Sequence, residues 1–149
     1  MFVRHVVYEM LERAKTLSDA KAWYFAIVDN KSIHDDLLKR VKDRLYSKGT
    51  NELGEVIGVY KPTTERINPQ KHAGSHYTLK DTGEFYASLY IGFLSDYFFI
   101  DGDGDKGKEN LFQKFGDGII GLDDDDKEWL GEILIDKYLE YVENTLFGN

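Results

Sequence analysis

The chain has 149 residues, no cysteine and a net charge of −8 at pH 7, and 42% of its residues are hydrophobic. This length predicts a single domain, residues 1–149, that buries about 70% of the surface of the unfolded chain. The apolar content excludes global disorder, and the lack of cysteine excludes disulfides and thiolate zinc sites. The sequence contains no long apolar span or apolar leader, so we expect a protein made in a cytoplasm, without a membrane partner.

The charge is distributed unevenly along the chain. Residues 1–80 hold 14 lysines and arginines against 10 acidic residues, whereas residues 81–149 hold 5 against 17. Such a chain is poorly suited to duplex nucleic acid, whose phosphates attract lysine and arginine. Two interpretations stay open. Either the acidic loops simply fall late in the sequence, or the basic surface of one copy contacts the acidic surface of the next, head to tail.

The beginning of the chain is predicted to be helical. Apolar residues at helical spacing predict a helix over 2–17 and a second over about 19–29. Ser32 and Asp35 have the spacing of a capping-box variant, which predicts a third helix that ends at Gly49. Whether the second and third helices are one bent helix stays open, although the polar residues between them favour a break.

Residues 49–77 form a long polar connection that glycine and proline interrupt. Within it, 56–60 is predicted as a short strand and 63–65 as a single helical turn. Loops of this length in a compact domain are usually functional or mobile. We therefore interpret this segment as an arm or a contact loop.

A β-hairpin is predicted after this loop. A short helical turn capped by Asp81 or Thr82 precedes it, and residues 89–93 then alternate at strand period. Residues 95–96 make the turn, and the chain returns over 97–101.

The remainder of the chain combines an acidic loop with a long helix. The glycine-rich loop over 101–109 leads to a short helical turn over 111–115, which ends at Gly116. The last helix begins in the carboxylate run 123–126 and continues to about residue 147. This run could attract a cation or a basic partner, but carboxylates at the start of a helix are stabilised by the helix dipole, so an acidic N-terminal helix turn is the favoured interpretation.

These elements predict an α+β fold, with a small antiparallel β-sheet packed against N-terminal helices and a long C-terminal helix. The sheet is built around 89–93 and 97–101, and 56–60 is a candidate third strand. Along the chain, the organisation is a helical region (1–48), a contact loop (49–77), and the β-hairpin with the C-terminal helix (78–149).

One pattern resembles a calcium site. The loop that begins at Asp101 has carboxylates at positions one, three and five of an EF-hand. Lys106 replaces the glycine that the sharp turn needs, and Phe112 replaces the bidentate glutamate at position twelve. A solvated acidic turn is the favoured interpretation, so no metal site is predicted.

A second pattern resembles a metal or nucleophilic site. His72 and His76 have the spacing of two metal ligands on a helix, but Gly74 between them argues against a helix. Ser75 lies beside both histidines without the motif of a nucleophile elbow. We predict no catalytic residue and no cofactor, and the chain is not expected to be an enzyme.

The hairpin is too aromatic for a surface that faces only water. One face should pack on the helices, and we expect Tyr90 to lie opposite Phe98 or Tyr97 on the other face. This pattern predicts a surface that contacts another subunit. The predicted interface residues are Tyr60, Tyr86, Tyr90, Phe93, Tyr97 and Phe98.

An ordered set of short motifs resembles one known family. Leu79, Thr82, Gly83, Phe85 and Ser88 precede the hairpin, and Phe115-Gly116 and Gly121-Leu122 follow it. In order and spacing these positions resemble the virion-morphogenesis or tail-completion proteins of tailed bacteriophages, including those of Bacteroidetes and the crAss-like group. Gly58, Tyr60 and Thr64 match a further element of this family, whereas Asn68-Pro69 departs from its pattern.

The resemblance implies a structural protein of the head–tail junction or tail, a tail-completion or neck component. Such a protein would form a ring of identical copies in the virion, after assembly in the host cytoplasm. Its partners would be copies of itself and neighbouring head–tail connector or tail-tube proteins, with no specific nucleic acid. Acidic loops over 101–109 or 123–126 would then line a DNA channel. The alternative is a small calcium- or partner-binding regulatory module without catalytic activity.

Overall fold

The computed structural model describes residues 12–14, 16, 24–94 and 97–148. The chain divides into two compact units, a first unit of residues 1–34 and 129–149 and a second unit of residues 35–128. The predicted helix over 2–17 lies outside the described residues except at 12–14, which are helical, and at residue 16, which lies in a turn. Residues 19–23 of the predicted second helix and the hairpin turn at 95–96 also lie outside them.

The first unit contains a short π-helix, Tyr24–Val28. Ala26 and Ile27 of this segment are buried. The carbonyl of Ile27 accepts bonds from the Asn30 amide (3.1 Å) and from Nε2 of His34 (2.6 Å). The chain therefore turns at residues 29–30, which confirms a break before the third helix.

Helix α1, Lys31–Ser47, begins in the first unit and ends in the second. The Asn30 carbonyl accepts the first bonds of this helix, from the amides of Ile33 and His34. The capping box predicted at Ser32 and Asp35 is therefore wrong, because both residues lie inside the helix. The predicted end is confirmed: Gly49 has φ +59° and its amide donates to the carbonyls of Arg44 and Leu45.

The contact loop contains helix α2, Pro62–Ile67, which confirms and extends the predicted turn at 63–65. The predicted strand at 56–60 does not join the hairpin. Its backbone pairs within the loop instead, through bridges from Val56 to Thr50 and from Val59 to His76. The candidate third strand is therefore wrong among the described residues, where the sheet has two strands.

The hairpin follows helix α3, Glu84–Ser88, and consists of β1, Tyr90–Leu94, and β2, Tyr97–Asp101. The strands are antiparallel, with Leu94 opposite Tyr97 and Tyr90 opposite Asp101. The predicted pairing of Tyr90 with Phe98 or Tyr97 is wrong. Because Leu94 pairs with Tyr97 next to the turn, the register places Phe98 opposite Phe93.

Three helical segments follow the acidic loop. Helix α4, Leu111–Phe115, is capped by the Asn110 side chain, which accepts bonds from two amides of its first turn. A 3₁₀ helix, Asp117–Ile120, and helix α5, Asp124–Phe147, complete the chain. Among the described residues, none of the helices is both long and apolar enough to cross a bilayer.

The core of the second unit joins residues from distant parts of its sequence. The buried members of the cluster are Val41, Leu45, Phe85, Tyr86, Leu89, Leu111, Ile119 and Ile120. Ile100 of β2 packs against this cluster, so one side of the hairpin meets the helical core. Helices, a two-stranded antiparallel sheet and a long C-terminal helix confirm the predicted α+β class.

A buried ion pair lies beside this core. Nη1 of Arg44 donates to Oδ2 of Asp126 at 2.8 Å, and the two side chains are 4% and 5% exposed. Nε of Arg40 donates to the other carboxylate oxygen of Asp126 at 3.0 Å. The predicted acidic first turn of this helix is confirmed, and its last carboxylate, Asp126, points inward.

Arg44 also donates to two carbonyls. Its Nε bonds the Thr50 carbonyl at 3.2 Å, and its Nη2 bonds the Ile119 carbonyl at 3.1 Å. A buried charge is tolerated when its partners satisfy it in this way.

The substitution Asp126→Asn tests this ion pair. We expect it to lower the free energy of unfolding by about 3–5 kcal/mol, because it leaves the Arg44 guanidinium buried without a countercharge. Urea titration followed by circular dichroism measures the change. The matched control is Asp125→Asn, at an exposed position of the same helical turn, which should change stability by less than about 0.5 kcal/mol. Equal effects of the two substitutions would contradict this account.

Candidate functional site

One face of the hairpin is open to solvent. Tyr90, Leu94 and Tyr97 are 49%, 51% and 53% exposed. Alternation along each strand places them on the same face as Gly92 and Phe99. The Phe99 ring lies across Gly92, where a Cβ would overlap it, and it meets the Tyr90 ring edge-on at 6.3 Å. We call Tyr90, Leu94, Tyr97 and Phe99 the open hairpin face.

The opposite face carries Ile91, Phe93, Phe98 and Ile100, all of them half-buried. Ile100 packs against the core. The pleat therefore separates two of the predicted interface residues, Phe93 and Phe98, from the open hairpin face. Sequence reasoning grouped them by aromatic character and missed Leu94, although the alternation of the strand places it with Tyr90.

Tyr86 is a core residue. It is 8% exposed, and its hydroxyl donates to the Thr78 carbonyl. Burial raises the pKa of the Tyr86 hydroxyl well above its usual value. Its predicted place in a subunit interface is corrected, because its helix α3 turns this side chain toward Phe85 and the core.

Tyr60 lies in a groove of about 630 Å³ formed by the second unit. Its ring meets Tyr77 at 4.8 Å, and the Tyr77 ring meets Phe115 at 5.8 Å, both edge-on. These three rings form an aromatic wall. Tyr60 therefore belongs to a surface different in composition from the open hairpin face.

Lysines line the same groove. They are Lys71, Lys80, Lys106, Lys108 and Lys114, against two carboxylates, Asp81 and Glu109. We call this site the lysine groove.

Both carboxylates of the lysine groove are paired. Lys71 bonds Asp81 at 2.7 Å, which raises the pKa of Lys71, and Lys114 bonds Glu109 at 2.8 Å. In the described part of the chain, no carboxylate pairs with the remaining three lysines. Lys80 instead approaches the Tyr46 ring, 5.3 Å from its centroid. The groove is therefore locally positive in a chain that is acidic overall.

The acidic loop lacks the ligand set of a calcium site. Asp101, Asp103 and Asp105 each accept a bond from an amide of the loop, at 2.7–2.9 Å. Position nine, Glu109, is paired with a lysine, and position twelve, Phe112, packs against the core. Within the described ranges, no three metal-ligating side chains cluster.

The histidines of the contact loop do not converge. Nδ1 of His72 lies 3.6 Å from Glu65, whereas Nε2 of His76 donates to the Tyr46 carbonyl at 2.9 Å. Ser75 donates to the carbonyl of His72, so its hydroxyl does not approach an imidazole acceptor. A hydrogen bond from the backbone amide of Ala73 lowers the pKa of the Glu65 carboxyl. These contacts stabilise the loop and do not arrange a nucleophile and base.

Comparison with protein-family models, curated proteins and solved structures finds no significant match for this chain. The likeness to phage tail-completion proteins therefore stays a prediction from the motifs.

Calcium titration tests the acidic loop. We expect no saturable heat at millimolar calcium, because the loop lacks a ligand at position twelve and carries Lys106 at position six. Isothermal calorimetry of the whole chain measures this. A saturable heat that Asp103→Asn removes, and that Asp117→Asn outside the loop leaves intact, would establish a calcium site.

Proposed function

We propose that this chain is a structural protein of a tailed-phage virion. In this proposal it forms a ring of identical copies at the head–tail junction or tail, and it performs no catalysis. Two observations support the proposal: the family resemblance of residues 58–122 and the open hairpin face, which lies within this range. The open hairpin face is the single observation that carries it.

Three physical features of the hairpin favour a protein contact. Among the described residues the sheet has two strands, and one of its faces packs on the core; a strand from another copy would extend the sheet with further backbone hydrogen bonds. The open hairpin face presents tyrosine and leucine to solvent, residue types that interfaces cover. Neither strand contains a lysine or proline, the residues that discourage pairing at a sheet edge.

The mode of assembly follows from these edges. Among the described residues each strand pairs only with the other, so one edge of β1 and one edge of β2 can accept a strand. Pairing of these edges between copies, repeated head to tail, closes a ring when the rotation permits. Connector or tail-tube proteins would contact the rims of that ring. The proposed location is the virion, after assembly in the host cytoplasm.

The acidic loop supplies a role within such a ring. Asp101, Asp103 and Asp105 are exposed, and we propose that they face a DNA channel. Negative charge on the wall opposes adhesion of the phosphate backbone, so the genome could pass without binding. Asp126 has no part in this surface because it is buried.

Serine substitution of the open hairpin face tests the proposed function. The double variant Tyr90→Ser and Tyr97→Ser should abolish ring assembly while lowering the melting temperature by only a few degrees, because both side chains are about half exposed. Native mass spectrometry and negative-stain electron microscopy measure assembly, and circular dichroism measures melting. The control is Leu53→Ser, a 74% exposed apolar residue of the contact loop, which should assemble normally.

Two results would contradict the proposal. In the first, the double variant assembles as well as the unmodified chain. In the second, the unmodified chain forms only dimers at every concentration, as a small regulatory module would.

A further inference from the structure

The lysine groove has charge and shape that the proposed ring contact leaves unexplained. It holds three lysines without a described carboxylate partner beside an aromatic wall. Lys106 and Lys108 lie in the acidic loop, where they interrupt its negative charge. Surplus positive charge beside apolar rings is suited to a ligand that is both anionic and apolar.

The exposed side of helix α5 carries both carboxylates and apolar side chains. Exposed carboxylates recur every fourth residue in the part of α5 that belongs to the first unit, and we call this set the acidic ridge: Glu132, Asp136 and Glu140. Like charges at this spacing destabilise a helix. Lys137 of the same helix pairs with Glu140 at 3.3 Å. In the part of the chain that the structure describes, no cation pairs with Glu132 or Asp136, so a basic partner would relieve their repulsion.

Apolar side chains accompany the acidic ridge. Ile135, Tyr138 and Leu139 are 62%, 47% and 54% exposed. They lie three and four residues apart, the spacing of side chains that one helix inserts into a groove. Helix α5 thus offers an apolar stripe flanked by carboxylates.

We propose that the lysine groove binds the acidic ridge of α5 from a second copy of this chain. The proposal rests on the proposed function, since it names a second contact between copies of the same assembly. The aromatic wall receives Ile135 and Leu139, and the lysines pair with the flanking carboxylates. This contact is heterologous, with the groove of one copy on the ridge of the next, so it extends head to tail.

The contacts of the groove favour a helix over single-stranded nucleic acid. Base stacking needs free aromatic faces. Here the Lys71 ammonium lies 5.7 Å from the centroid of the Tyr60 ring, and the Tyr77 ring is engaged edge-on by both of its aromatic neighbours. Short aliphatic side chains can pack against the remaining ring edges, whereas a base cannot stack on them.

Charge exchange between two variants tests the contact. The groove variant carries Lys106→Glu and Lys108→Glu, and the ridge variant carries Glu132→Lys and Asp136→Lys. Each variant alone opposes like charges, so we expect its self-association to weaken roughly tenfold or more in low salt. An equimolar mixture restores complementary charge at every groove and ridge, so it should assemble as tightly as the unmodified chain. Sedimentation velocity measures association, with melting curves to verify folding.

Controls separate this contact from the proposed hairpin contact. The variant Lys31→Glu and Lys48→Glu makes the same charge change outside the groove and should assemble normally. If the mixture fails to assemble, or either charge variant alone assembles normally, the groove contact is overturned. The proposed function fails separately, when the Tyr90 and Tyr97 serine variant assembles normally. The groove contact is also overturned if the unmodified chain does not self-associate at low salt, where attraction between charges is least screened.

A fluorescent single-stranded oligonucleotide serves as the competing ligand. Two results together would assign the groove to nucleic acid instead. The unmodified chain would bind the oligonucleotide and the groove variant would not, and the mixture of charge variants would fail to assemble. We expect no such binding.

Discussion

The buried guanidinium of Arg44 is the constraint on which the second unit depends. It bonds Asp126, the Thr50 carbonyl and the Ile119 carbonyl, and so it joins the end of α1 to the contact loop, the 3₁₀ helix and the first turn of α5. A charge that is 4% exposed must keep all of these partners, because each loss would leave it unsatisfied in a medium of low dielectric. The ion pair therefore fixes the geometry of these segments more strictly than apolar packing alone, which tolerates repacking.

Two surfaces of the second unit, the open hairpin face and the lysine groove, are accessible to solvent. The open hairpin face is apolar and lies beside strand edges that pair with no other strand among the described residues. The lysine groove is positive and aromatic. A copy that uses both would contact its neighbours through backbone pairing at one surface and through charge at the other. Backbone pairing supplies a repeating geometry, and charge supplies direction, since the groove and the acidic ridge are different surfaces. That combination suits a ring in which every copy must face the same way.

Local sequence patterns predicted most helices and strands. Features that depend on contacts between distant parts of the chain could not be predicted from such patterns. Gly49 and Gly116 end helices where expected, because both adopt a positive φ, which glycine accepts without a steric penalty. The hairpin strands followed from period-two alternation. In contrast, Asp126 and Arg44 are 82 positions apart. Asp126 exchanges capping hydrogen bonds with Asp123, but this local pattern does not predict a buried arginine as its partner. The burial of Tyr86 depended likewise on packing between segments. The split of the aromatic residues between the two hairpin faces was readable from the alternation, but aromatic character was given more weight.

Hydrogen–deuterium exchange of the assembled chain tests the central claim, that copies meet through the open hairpin face, most directly. Amides of β1 and β2 are compared at concentrations below and above assembly, with the buried amides around Arg44 as an internal reference. If copies meet through the open hairpin face, exchange in residues 90–101 slows on assembly while the reference amides keep their rates. Unchanged hairpin exchange in a chain that has assembled would show that the copies meet elsewhere, and it would contradict the claim.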